Sequence, residues 1–91
     1  SPTKKELKVG PKIAPVAIFT IENGFLACCN FYKKQLFKLR LADVQIVMVV
    51  VGGFLGTKGT LRLIGGGVDL AAHTMVLKYA EEARDWILAN K

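Results

Sequence analysis

With 91 residues, 52% of them hydrophobic, the chain has enough apolar material for one packed domain and too much for a disordered segment. Its formal charge of +6 lies wholly in the first 40 residues, which hold eight Lys or Arg against two acidic residues; residues 41–91 hold five of each. The two cysteines, Cys28 and Cys29, are adjacent, which excludes a loop-closing disulfide scaffold, and with one histidine and no CxxC spacing no metal site is expected.

Residues 1–12 are polar and end in Gly10 and Pro11, so they are expected to form a flexible basic arm ahead of a single α/β domain over residues 13–91. Residues 13–21 are predicted as a strand, with Pro15 acceptable near its start or on an edge. Asn23-Gly24, between two apolar stretches, predicts a tight hairpin turn into a strand over residues 25–29. Asn30 is a suitable N-cap for a short basic helix over residues 31–41, with Phe31, Leu36, Phe37 and Leu39 inward and Lys33, Lys34 and Lys38 in water.

Residues 44–51 carry six β-branched residues and a methionine, the pattern of a central strand buried on both faces. A glycine-rich loop over residues 52–59 leads to a short strand at 60–64, which Gly65, Gly66 and Gly67 break. Asp69 then reads as the N-cap of a long helix over residues 70–90, whose core stripe is Ala72, Met75, Val76, Tyr79, Ala83, Trp86 and Ile87. The expected fold is α+β, in the order ββαββα: a mixed or antiparallel sheet with the C-terminal helix packed on it.

Residues 13–32 carry one charge, Glu22, before the lysines that follow, but Glu22, Asn23 and Gly24 interrupt the stretch near its midpoint. Residues 44–57 are uncharged for only 14 positions, short of the roughly 18–20 that a membrane-spanning helix needs, so a membrane-embedded chain is not expected. The first dozen residues lack a cleavage-type apolar segment, and free thiols suit a reducing compartment; a cytoplasmic location is the expectation.

Ala14-Pro15-Val16-Ala17-Ile18, followed by Gly24-Phe25-Leu26-Ala27-Cys28, resembles the early strands of the small archaeal and bacterial family catalogued as domain of unknown function 1805. The resemblance covers residues 14–55 and implies an Ala-Pro strand, a turn, a Gly-aromatic strand, a helix and then a Val-rich strand. Cys29 stands where that family has glycine, and residues 52–67 are longer and richer in glycine. It implies a compact α/β fold and no established activity.

No set of catalytic residues emerges, and no cofactor is expected. Cys28 has no marked partner beyond His73, and Glu81, Glu82 and Asp85 fit the wet face of a helix. The loop made by Gly52, Gly53, Gly56, Thr57, Lys58 and Gly59 offers backbone N–H groups, a lysine and a threonine to an anion, but lacks the P-loop spacing and is followed by a strand. The charge asymmetry points elsewhere. Lys4, Lys5, Lys8, Lys33, Lys34, Lys38 and Arg40, with Phe31 and Tyr32 beside them, are the candidates for engaging nucleic acid or an acidic protein surface. The expected function is a small basic binding or assembly module, homo-oligomeric or not. The alternatives are a phosphate-binding domain using the loop at 52–59 and a small subunit of a membrane complex.

Overall fold

The computed structural model describes residues 3–91. The architecture is α+β, with two antiparallel sheets and one C-terminal helix, and the chain divides into two units, Ser1–Ala42 and Asp43–Lys91.

The first unit is a four-stranded meander, β1 (Lys5–Val9), β2 (Ala17–Glu22), β3 (Phe25–Cys29) and β4 (Gln35–Arg40), in the order β1-β2-β3-β4. Alternation defines its faces: Val9, Ala17, Phe19, Ile21, Leu26 and Cys28 are buried on one side, while Ile18, Thr20, Ala27 and Lys38 fall on the other. The predicted hairpin at Asn23-Gly24 forms as a two-residue turn. Both residues have positive φ, 54° and 80°, which matches the right-handed twist of the flanking strands.

Two expectations for this unit are overturned. Part of the expected flexible arm is strand β1, because Leu7 and Val9 alternate with Glu6 and Lys8 and pair with Phe19 and Ala17 of β2. Ser1 and Pro2 lie outside the described residues. The first predicted strand correspondingly begins later, at Ala17, after a loop in which Val16 N–H donates to Val9 O at 2.8 Å.

The expected basic helix is strand β4. Phe37 and Leu39 alternate with Lys38 and Arg40, and a segment this short gains more from pairing with β3 than from nucleating a helix. Asn30 caps as its chemistry suggests, but it caps a turn: its Oδ1 accepts from the N–H groups of Tyr32 and Lys34, both at 2.9 Å. A bulge at Leu36 shifts the register, so Cys28 faces Phe37 while Cys29 faces Gln35.

The second unit contains β5 (Ile46–Gly52), β6 (Lys58–Gly65), β7 (Val68–Val76) and α1 (Leu77–Ala89), with sheet order β5-β6-β7. The Val-rich segment is therefore an edge strand, not the central one. Val47 is buried, but Ile46, Val50 and Val51 are exposed; β6, with Leu61 and Leu63 buried, takes the centre. Richness in valine reports fitness for a pleated strand and does not say which strand is central.

The glycine break before the last helix is another hairpin turn, with Gly66 and Gly67 at φ 61° and 78°. Residues 70–76, expected as helix, extend β7 instead. Asp69 caps nothing; its carboxylate accepts from Arg62 Nη2 at 2.8 and 3.0 Å across the sheet. The helix begins seven residues later than expected, where Leu77 N–H donates to Thr57 O at 3.0 Å. Ala80, Ala83 and Ile87 form its buried stripe, while Tyr79 and Trp86 are half-buried. Close approach to the sheet occurs at Gly59, where a Cβ would lie 2.9 Å from Val49 Cγ1 and 3.0 Å from both Ala80 Cβ and Leu77 Cδ1. Among the described residues no helix is long and apolar enough to cross a membrane.

Candidate binding groove

The face of the first sheet opposite its buried side forms an open groove of about 560 Å³. Its floor is built from alternate positions of the inner strands, Ile18 and Thr20 on β2, then Phe25, Ala27 and Cys29 on β3. Lys4, Lys33 and Lys38 supply positive charge at its walls, and Glu6 and Glu22 supply two carboxylates. Lys8 Nζ stands 3.9 Å from Glu6 Oε1, so part of that negative charge is offset locally; both groups are well exposed and the pair adds little stability. Lys38 Nζ lies 5.2 Å from the centre of the Phe25 ring, a cation held over an aromatic face on the groove side.

Of the residues nominated from sequence, Lys4, Lys33 and Lys38 line the groove. Lys8 and Arg40 belong to the same face by strand alternation, two positions along from Glu6 and Lys38. Lys5 falls on the other parity, opposite Ile21. Phe31, Tyr32 and Lys34 are in the turn between β3 and β4, where the two rings meet edge-on at 5.4 Å and Tyr32 is 85% exposed. Lys33 holds that turn with a positive φ of 63°. Phe25, Ala27 and Cys29 were missed, although period-two alternation along residues 25–29 puts them on one face.

The glycine loop at 52–59 has a different character. Gly56 N–H donates to Gly53 O, and both the N–H and the Oγ1 of Thr57 donate to Phe54 O, so these donors are used within the turn. The Lys58 stem packs beside Gly53, and the loop's outermost side chains are Phe54 and Leu55.

The two cysteines differ sharply although they are neighbours. Cys28 is fully buried, and burial, assisted by the nearby Cys29, pushes its thiol up to about 12. Cys29 is half-buried and faces the groove. An alkylating reagent at pH 8 is therefore expected to label native protein once, at Cys29, with Cys28 reacting only after denaturation. Peptide mapping checks this, and equal labelling of both thiols in the native state would contradict it. The same shift has a pH consequence. An unfolded thiol releases its proton near 9.0 while the folded one keeps it to about 12, so this group's contribution to stability is lost as pH rises from about 9. His73 is half-buried on β7, and burial lowers its pKa, which disfavours its charged form in the fold.

Comparison with protein-family models, with curated protein sequences and with solved structures finds no match to this chain.

Proposed function

We propose that this protein is a small basic binding module whose groove in the first unit takes single-stranded nucleic acid. The observation that carries the reading is one sheet face with Phe25 in its floor, Lys38 over that ring, and Lys4 and Lys33 at its walls. Flat aromatic surface and spaced cations are the two things a single strand requires: bases stack on the rings, and phosphates are neutralised by the lysines. Tyr32, held out by the Asn30-capped turn beside Lys33 and Lys34, offers a second stacking surface at the end of the same sheet. The local net charge supports this, since the unit Ser1–Ala42 holds the entire +6. Exposed rings set beside the lysines favour a partner that brings bases to stack over one that offers carboxylates alone.

The test is fluorescence anisotropy with labelled oligo-dT and oligo-U, a DNA duplex and polyglutamate, each over a range of salt. Single strands are expected to bind most tightly, with affinity falling steeply as salt rises. Changing Lys33, Lys34 and Lys38 together to glutamine is expected to flatten the slope of log K against log salt by about 2, at roughly 0.7 per phosphate on a single strand. Tyr32→Ala is expected to weaken binding by about 1–3 kcal/mol without altering that slope. Absence of salt-sensitive binding at low ionic strength, or equal affinity for polyglutamate, would overturn the proposal.

A further inference from the structure

The free edge of the second sheet is unlike the other edges. Strands at a sheet edge are ordinarily protected against further pairing by charge or proline. β1 carries Lys5, Glu6 and Lys8, β4 carries Lys38 and Arg40, and β7 carries Asp69; β5 carries neither a charge nor a proline from Ile46 to Gly52. It also exposes apolar side chains, with Ile46 51% and Val51 59% accessible, and the turn that follows adds Phe54 at 84% and Leu55 at 83%. An edge of this kind has backbone donors and acceptors ready for another strand and nothing to repel one.

We propose that the strand it pairs with is β5 of a second copy of this chain, antiparallel across a two-fold axis, so that two three-stranded sheets become one of six strands. Self-pairing demands that the same strand be complementary to its own reverse. With the axis at Val49, Met48 opposes Val50, Val47 opposes Val51, and Ile46 opposes the small Gly52. Every opposed pair is uncharged. The unit that carries this edge, Asp43–Lys91, holds five basic and five acidic residues, so two such units approach without net repulsion although the chain as a whole is strongly basic. A polar or acidic peptide would gain the backbone bonds but leave the exposed valines and isoleucine uncovered. This inference is independent of the nucleic-acid reading, because it concerns the other unit and the opposite dependence on salt.

Sedimentation equilibrium of the whole chain, from about 1 to 200 µM, is expected to show a monomer–dimer equilibrium that salt does not weaken. Val50→Lys places a charge on the sheet face not covered by α1, where the monomer tolerates it, and is expected to weaken dimerisation tenfold or more, because each lysine is set against Met48 of the other copy and the two lysines repel on the diagonal across the axis. Val50→Glu is expected to do the same. Mixing the two variants is expected to restore a dimer, an outcome that mere misfolding of either would not produce; circular dichroism confirms that each is folded. A wild type that stays monomeric throughout this range, or a dimer indifferent to both variants, overturns the proposal. So does a monomer that co-sediments with anionic phospholipid vesicles through the same edge.

Discussion

Leu63→Ala is expected to destabilise the protein by about 2–5 kcal/mol, measured as the change in unfolding free energy by urea titration. Leu63 has no exposed surface and stands on β6, the central strand of its sheet, with Val47 opposite it on β5 and Ala71 on β7. It belongs to the side of the sheet that carries Leu61 and Met75, the side on which Gly59 meets α1. Truncation removes most of its apolar surface from the interior and leaves a space that paired strands on both flanks cannot close, since their backbones are fixed by register. Leu55→Ala is the appropriate contrast. Leu55 is 83% exposed at the turn, so the same chemical change there is expected to stay within about 0.5 kcal/mol. A loss below 1 kcal/mol at Leu63 would mean that β6 is not the core strand.

The hairpin at Asn23-Gly24 was legible because a two-residue turn with both φ positive admits few residue types, and the sequence supplies two of them between apolar stretches. Gly66-Gly67 sends the same signal. In sequence it reads as a break before a helix, because the residues that follow, Ala72, Met75, Val76 and Tyr79, recur at helical spacing. What decides residues 68–76 for strand is pairing across the hairpin with β6, together with the Thr60–Thr74 hydroxyl contact at 2.9 Å and the Arg62–Asp69 pair, none of which shows in the periodicity of the segment itself.

The candidate site was legible in its charges and not in its geometry. Lys33 and Lys38 were found because lysines cluster there, but placing them on a helix set them around a cylinder. On a turn and a strand they border one groove with Lys4, the residue just ahead of β1 at the opposite edge of the sheet, where the segment is too polar to announce itself as a strand. Phe25 completes the site through alternation along β3, a weak signal in a five-residue strand whose other positions are also apolar.

Gly65→Ala is expected to cost about 3 kcal/mol or more, a larger penalty than one added methyl group ordinarily brings. The reason is not the glycine's backbone freedom, since Gly65 lies in β6 outside the positive-φ group that includes Gly66 and Gly67. It is space. A Cβ at Gly65 would collide with the carbonyl oxygen of Asp43 and come within 2.9 Å of Leu70 Cδ1. Leu70 can rotate away, but the Asp43 carbonyl is main chain, held just ahead of the buried Val44 and of Gln45, whose N–H donates to Ile64 O at 2.8 Å. Relief of the clash therefore requires that the entry into β5 move, which breaks that bond and lifts Val44 out of the core. Gly52→Ala isolates the effect: nothing lies within 4 Å of its added Cβ and its φ is not positive, so it is expected to be neutral or slightly stabilising through the unfolded chain. Thermal and urea unfolding of the two variants side by side decides the matter, and equal stability of Gly65→Ala and wild type would show that β6 and the segment entering β5 are not in close contact.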